Sequence, residues 1–211
     1  MHEKTPDQES FPIIMTNGLT KKFGNLVAVN GLQLEVQRGD VFGFLGPNGS
    51  GKTTTIRMLL GLLRPTAGTI RIFGLDTSTH LPKILPRIGA IIEAPVYYSY
   101  LSGIDNLRVI AWNSGLIRGR ATNRRIEEIL ELVDLTAQAK DVVRKYSLGM
   151  KQRLAIGMAL LTDPELILLD EPTNGLDPMG VHEMRLMIQR LKESGKTVIL
   201  SSHILDRKSV V

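Results

Sequence analysis

Apolar residues follow two different periods along this chain of 211 residues. The stretches IIMTNGLTKKFG and LVAVNGLQLEVQRGDVFGFLG are rich in Val, Ile, Leu and Phe and are broken by Gly and Asn, which predicts short strands joined by turns. From Lys52 the period changes, because apolar residues recur at i, i+3, i+4 and i+7 starting at Ile56. This spacing predicts a helix with one buried face, and we expect Pro65 to mark its end.

Helical patterns continue through the middle third of the chain. Ser102, followed three residues later by Asp105, is a typical helix start. Thr122 precedes a second amphipathic segment whose apolar residues begin at Ile126. We therefore expect a helical insert over about residues 94–150.

The last third alternates between strand and helix signals again. ELILLD and TVILSS are nearly continuous apolar runs, as expected for parallel strands buried on both faces. Between them, Asp177 and Pro178 begin a helix that Gly195 follows. This alternation predicts an α/β fold in which the polar residues after each strand lie at the carboxyl edge of a parallel sheet.

The composition allows one sizeable core, since 43% of the residues are apolar. The net charge of +5 is compatible with a polyanionic ligand, nucleic acid or an anionic membrane. We expect no nucleic-acid partner, because the chain lacks the interleaved aromatic and basic residues of a nucleic-acid groove. The absence of cysteine excludes disulfides and cysteine-based sites. Residues 1–12 are polar and predict a flexible tail.

The segment GPNGSGKT fits the phosphate-loop pattern and lies between a strand signal and a helix signal, the context that this pattern requires. Its glycines let backbone N–H groups surround phosphates, and the helix N-terminus adds partial positive charge. We expect Lys52 to reach the β and γ phosphates of a nucleotide and Thr53 to offer its hydroxyl to Mg²⁺. The expected nucleotide-binding residues of this loop are Gly46, Pro47, Asn48, Gly49, Ser50, Gly51, Lys52, Thr53 and Thr54.

Two carboxylates, Asp170 and Glu171, follow the apolar run LILL. A buried strand that delivers acidic residues is the expected partner of a phosphate loop, because Mg²⁺ takes oxygen ligands. We expect Asp170 to hold Mg²⁺, directly or through water. Glu171 is one residue further along, and we expect it to act as the general base on the attacking water.

A second helix start suited to anions lies in YSLGMKQR. Ser147 can cap that helix, and Gly149 lets a ligand approach the backbone closely. The phosphate loop of the same chain does not need this site, so the two motifs together raise the question of which phosphate the second one binds.

These motifs resemble those of the ATP-binding subunits of ABC transporters, over about Ile13 to Leu205. YSLGMKQR is similar to the signature motif of that family, and NGLD, which ends at Asp177, is similar to its D-loop. His203 stands where the family has its switch histidine, and Phe23 stands where an aromatic ring stacks on adenine. The segments GLDP and IIEAP are similar to those in the ATP-binding subunits of bacterial exporters of drugs and bacteriocins.

The resemblance implies a P-loop NTPase core with an antiparallel β subdomain and an inserted α-helical subdomain, within an ABC-type domain over residues 13–211. The implied cofactors are ATP and Mg²⁺, and the implied reaction is ATP hydrolysis that drives export. Lys52, Glu171 and His203 would be the catalytic residues.

The implied partners are transmembrane permease subunits, which would hold the chain on the cytoplasmic face of the membrane, and a second ATP-binding subunit, identical or related. Two subunits would face each other head to tail. Ser147 and Gly149 would then cover the γ-phosphate that the other subunit holds, and Asp177 would also act across the dimer.

Three features depart from the family pattern. Glu93 replaces the common glutamine, which adds negative charge near Mg²⁺. SLGMK replaces the commoner SGGQ but retains Ser147 and Gly149. The chain stops eight residues after His203, where family members continue, so we expect a truncated C-terminal part. Two alternatives stay open, namely an ATP-binding module without turnover and a soluble ABC-type ATPase that is not tied to transport.

Overall fold

Two sheets and a helical lobe make up the structure, a computed structural model that describes residues 11–93 and 96–203. Most of the expected tail, and the segment 204–211 on which the expected truncation rests, therefore lie outside the described residues. The strands are β1 Ile14–Phe23, β2 Leu26–Val36, β3 Val41–Leu45, β4 Ala67–Ile72, β5 Leu75–Asp76, β6 Ile88–Ile91, β7 Leu166–Leu169 and β8 Thr197–Ser202. The helices are α1 Lys52–Leu59, α2 Thr77–Ile84, α3 Gly103–Asn113, α4 Arg120–Leu132, α5 Leu148–Leu160 and α6 Pro178–Glu193.

The first sheet is antiparallel, with strand order β2-β1-β4-β5. Its first two strands contain 10 and 11 residues, so the prediction of short strands was wrong in length. Gly18 and Gly31 have φ values of +59° and +60°, and the register between β1 and β2 shifts between Thr16 and Leu19 and again before Lys21. These glycines produce bulges inside continuous strands, because a bulge accommodates an extra residue without ending the pairing.

The second sheet is parallel, with strand order β3-β8-β7-β6, which confirms the α/β prediction. Leu166 and Leu168 of β7 face one hydrophobic cluster, whereas Ile167 and Leu169 face the other. The strand is thus buried on both faces, as its continuous apolar run predicted. The carboxyl ends of all four strands meet at one edge, and this edge carries the candidate site.

The helical lobe contains α3, α4 and the beginning of α5. Ser102 caps α3 and accepts a hydrogen bond from the Asp105 N–H at 3.2 Å, which confirms the predicted helix start. The prediction for Thr122 was wrong, because α4 already begins at Arg120 and the Thr122 hydroxyl donates to the Ile117 carbonyl from inside the helix. α5 begins within the expected insert and continues to Leu160, so it joins the lobe to the core.

Two further helix boundaries bear on the site. α1 ends at Leu59 instead of near Pro65, because Gly61 adopts a φ of +68° and donates its N–H to the Met58 carbonyl. A left-handed glycine is a common helix terminator, and it acts here before the proline does. α6 begins as predicted, with Asp177 accepting from the Gly180 N–H at 2.8 Å.

Two hydrophobic clusters share the parallel sheet between them. One joins the helical lobe and α6 to one face of the sheet, and the other joins the antiparallel sheet and α1 to the opposite face. Among the helices within residues 11–93 and 96–203, none combines the length and apolar character that crossing a bilayer requires.

Candidate functional site

The loop from Gly46 to Gly51 connects β3 to α1 and has the backbone that a phosphate site requires. Gly49 and Gly51 have φ values of +83° and +90°, in the region that only glycine adopts without strain. A Cβ at Gly51 would lie 2.4 Å from the Ala28 carbonyl oxygen, so any larger residue would displace the β2 backbone. The loop therefore presents its N–H groups at the start of α1, where the helix adds partial positive charge.

Lys52 is the most buried cation of the site, with 8% of the residue exposed. Its Nζ donates to the carbonyl oxygens of Gly46 at 2.8 Å and Pro47 at 3.0 Å. Glu171 Oε1 lies 3.6 Å from the same nitrogen. The Lys52 ammonium group thus lies against the phosphate loop that precedes α1. In this position it can contact phosphates bound by the loop.

Thr53 and Asp170 are joined directly, because the Thr53 hydroxyl donates to Asp170 Oδ2 at 2.7 Å. The threonine oxygen keeps lone pairs for a cation, because its O–H proton points towards the carboxylate. A hydroxyl and a carboxylate are hard oxygen ligands, which Mg²⁺ prefers. The two residues therefore fit the ion that the sequence predicts, with the remaining ligands left to water and phosphate oxygens.

Glu171 lies at the centre of the site. One carboxylate oxygen faces Lys52, and the other, Oε2, lies 3.4 Å from His203 Nδ1. Its backbone has a φ of +49°, which is uncommon for a residue other than glycine. The structure thus brings the three expected catalytic residues into one contiguous group.

A cleft of about 500 Å³ adjoins this group. The expected residues Thr53, Asp170, Glu171 and Glu93 contribute to its walls. Leu148, Lys151, Gln152, Asn174 and Tyr97 complete the lining. The cleft therefore lies between the parallel sheet and the helical lobe, and residues from both contact one space.

Glu93 also has a left-handed backbone, with a φ of +61°, and its carboxylate forms an ion pair with Arg57 of α1. The sequence suggested that Glu93 adds negative charge near the metal. Arg57 provides the compensation, because its guanidinium bonds the carboxylate directly.

The second helix start is exposed as an anion site would be. Ser147 caps α5 and accepts from the Met150 N–H at 3.2 Å. A Cβ at Gly149 would meet Leu176 and the Ser147 hydroxyl only at 3.9 and 4.0 Å, which is ordinary contact. The fold of this chain therefore does not require glycine there. Neither residue lines the cleft described above.

Phe23 ends β1 with 48% of its surface exposed, so it is not a core residue. Lys21 lies over its ring, with Nζ 5.1 Å from the centroid. Phe23 pairs with Leu26 at the start of β2. β2 continues past Ala28, whose carbonyl oxygen lies against Gly51. The exposed ring and the phosphate loop are therefore connected through β2.

The sequence-based prediction missed several residues of the site, among them Arg57, Lys151 and Gln152. Arg57 follows Thr53 by four residues on α1, so helical spacing already placed it one turn beyond the loop. Lys151 and Gln152 belong to the signature-like segment, but only the packing of α5 against the sheet shows that they face the cleft.

Comparison with known proteins gives a consistent result. The family model described as ABC transporter matches residues 29–174. The bacitracin transport ATP-binding protein BcrA of Bacillus licheniformis is 52% identical over 195 residues, which cover 92% of this chain and 62% of that protein. The lantibiotic transport ATP-binding protein SrtF of Streptococcus pyogenes is 39% identical over 194 residues, with 92% of this chain and 81% of that protein covered.

Solved structures agree with the fold. The ADP conformation of MJ1267, an ATP-binding cassette of an ABC transporter, superposes with a TM-score of 0.84 at 28% identity, covering 93% of this chain and 83% of that one. The chain thus spans most of a solved cassette but about 62% of the length of the bacitracin relative.

Proposed function

Because the chain belongs to the ABC transporter family, we propose that it binds ATP with Mg²⁺ and hydrolyses it to ADP and phosphate, as the ATP-binding subunit of an exporter. One observation carries the proposal above all others. Lys52, Thr53, Asp170, Glu171 and His203 come from three separate stretches of chain and form one contiguous group at a single sheet edge.

Each residue of this group would have its own role in phosphoryl transfer. Lys52 would exchange its bonds to Gly46 and Pro47 for the β and γ phosphates, and the loop N–H groups would hold the remaining oxygens. Glu171, released from Lys52, would accept a proton from the attacking water. His203, next to the other Glu171 oxygen, would orient that water and contact the γ-phosphate.

Mg²⁺ bound here would neutralise charge on the β and γ phosphates. Thr53 and Asp170 would hold it, the threonine through its oxygen and the aspartate directly or through water. Glu93 would accept hydrogen bonds from metal-bound water at the edge of the cleft, with its charge balanced by Arg57. Phe23 would stack on adenine, because base–aromatic stacking needs an exposed ring.

Two kinds of partner follow from the proposal. A second ATP-binding subunit, identical or related, would place its Ser147 and Gly149 over the γ-phosphate held by this chain, with Asp177 nearby. Transmembrane permease subunits would dock on the helical lobe around residues 96–113 and hold the chain at the inner face of the cell membrane. The relatives named for bacitracin and lantibiotic transport favour an exporter of drugs, peptides or lipids.

Phosphate release by the purified protein tests the catalytic part of the proposal. Release should require both ATP and Mg²⁺ and should stop when EDTA removes the cation. Tight ATP binding without any phosphate release would instead support a binding module without turnover. Co-expression with membrane proteins encoded beside this chain tests the transport part, since a permease partner should co-purify.

A further inference from the structure

One buried hydroxyl touches both carboxylate residues of the site. Ser201 lies near the end of β8 and is fully buried. Its Oγ donates to Asp170 Oδ1 at 2.5 Å and accepts from the Glu171 N–H at 2.8 Å. The sheet register produces this contact, because Leu200 of β8 pairs with Leu169, the last residue of β7, and the residues that follow these two are Ser201 and Asp170.

The bond to Asp170 completes a clamp on that carboxylate. Thr53 donates to Oδ2 from α1, and Ser201 donates to Oδ1 from β8. Asp170 is only 8% exposed as a residue, so each missing donor would leave a charged oxygen poorly solvated. Since Thr53 and Ser201 belong to different elements, the plane of the carboxylate is fixed from two sides.

The bond to Glu171 supports a strained backbone. A φ of +49° places this residue in the left-handed region, which is unfavourable for a residue with a Cβ. Such conformations persist where the surroundings determine them. Ser201 holds the Glu171 N–H, and the Glu171 carbonyl accepts from the Asn174 N–H at 3.0 Å. These two bonds fix the peptides on either side of the strained residue, whose side chain faces Lys52 and His203.

We propose that Ser201 is a positioning residue that sets the Asp170 carboxylate for the divalent cation and the Glu171 backbone for the attacking water. This inference rests on the proposed ATPase function and adds to it a residue outside the nucleotide-binding motifs. Ser201 does not itself touch the reacting atoms. It acts through the two residues that do.

Ser201→Ala removes both bonds and adds no bulk. Mn²⁺ can replace Mg²⁺ as a paramagnetic probe, and its binding to the protein saturated with a non-hydrolysable ATP analogue can be measured by electron paramagnetic resonance. We expect Mn²⁺ affinity to fall about tenfold or more, as for the loss of a hydrogen bond to a charged group. Phosphate release at saturating Mg²⁺ and ATP should also fall at least about tenfold, because Glu171 loses its support. ATP affinity measured in EDTA should be unchanged.

Thr197→Val is the matched control. Thr197 lies on the same strand, is 1% exposed, and accepts from the Gly39 N–H at 2.9 Å at the opposite end of β8. This variant also loses one buried hydroxyl, so its melting temperature should fall, but its Mn²⁺ affinity and turnover should match those of the wild type. Ser201→Cys retains a weak donor of similar size and should give intermediate Mn²⁺ affinity.

The outcomes separate the inference from the proposed function. The inference alone would be overturned if the wild type hydrolyses ATP and the variants Ser201→Ala and Ser201→Cys have the same Mn²⁺ affinity and turnover as the wild type. The inference would also be overturned if Ser201→Ala and Thr197→Val both lost turnover in proportion to their fall in melting temperature. A wild type that neither binds nor hydrolyses ATP would instead overturn the proposed function.

Discussion

Lys52 Nζ lies 3.6 Å from Glu171 Oε1, so the cation assigned to phosphate and the carboxylate assigned to water form an ion pair with each other. The same ammonium group donates to two carbonyl oxygens of the phosphate loop. Phosphates carry more negative charge than these carbonyls and would attract Lys52 more strongly. ATP binding would then free Glu171 from Lys52, so that its carboxylate can accept a proton from water only after ATP has bound.

Replacement of Lys52 by alanine tests the binding half of this link. Lys52→Ala should lower ATP affinity about tenfold or more, because a charged hydrogen bond to phosphate is lost. Lys140→Ala, at an exposed position outside the helices and strands, serves as the control and should bind ATP normally. Equal ATP affinity in both variants, measured by calorimetry, would remove Lys52 from the phosphate site.

Adenine stacking on Phe23 predicts a loss that depends on the base. Phe23→Ala should weaken ATP binding about fivefold or more, since stacking on an aromatic ring contributes about 1–3 kcal/mol per base. Tripolyphosphate has no base, so its affinity should not change. Phe23→Tyr retains an aromatic ring and should bind ATP like the wild type. A parallel loss for ATP and tripolyphosphate would place the role of Phe23 in the loop and not in base recognition.

A site shared between two subunits makes a prediction for linked dimers. Lys52→Ala removes the phosphate-loop charge, and Gly149→Asp adds bulk and negative charge at the start of α5. The fold should tolerate the second change, because a Cβ at Gly149 meets only ordinary contacts. With one mutation on each half, a trans arrangement places both defects in one site and leaves the other intact.

The two linked dimers should therefore differ. The form with one mutation on each half should hydrolyse ATP, and the form with both mutations on one half should be inactive, because each of its composite sites then carries one defect. A cis arrangement reverses these results, since the untouched half would work alone. Phosphate release from the two purified dimers distinguishes the arrangements.

The hydrogen bonds and ion pairs of Glu165, at the opposite edge of the sheet, should make the free energy of unfolding depend on pH. It accepts from Arg87 at 2.6 and 2.9 Å and from Arg38 at 3.0 Å. The hydrogen bond from Arg87, aided by Arg38, holds the pKa of the Glu165 carboxyl below its ordinary value of 4.5. Because the folded pKa is the lower one, the stabilisation is present above pH 4.5 and is lost as pH falls through the folded value.

Glu165→Gln should accordingly lower the free energy of unfolding at pH 7, by at most about 1 kcal/mol because the pair is partly exposed. The difference from the wild type should shrink as the pH falls below 4.5. Urea unfolding at a series of pH values measures this dependence. A constant difference at all pH values would mean that packing, and not the charge, accounts for the effect. ATP hydrolysis should be unaffected, since the site lies at the other end of the strands.

Periodicity predicted the parallel sheet and the convergence of the site because each strand that carries chemistry is a continuous apolar run followed at once by polar residues. Parallel strands bring such residues together at one edge, so Asp170 and Glu171 could be placed from order, whereas Lys52 was assigned from the phosphate-loop motif and His203 from the family resemblance. Boundaries were less well predicted. Gly61 ended α1 before Pro65 could, and α4 began before Thr122, because local glycine geometry and side-chain bonds decide these positions.

Contacts between distant segments were the least predictable part of the site. Arg57 and Glu93 are 36 residues apart, and no local pattern pairs them. The bond between Ser201 and Asp170 depends on the register of β7 against β8, which neither strand specifies by itself. Such contacts need the packed structure, because they follow from how elements meet and not from the residues of one element.

Phosphate release by Glu171→Gln tests the central claim most directly. Glutamine keeps the size and hydrogen bonding of Glu171 but lacks the basic carboxylate. At saturating ATP and Mg²⁺ we expect turnover to fall about 10²-fold or more, with ATP affinity retained and with Glu131→Gln, at an exposed position on α4, unchanged. Turnover of Glu171→Gln at the wild-type rate would contradict the assignment of Glu171 as the general base.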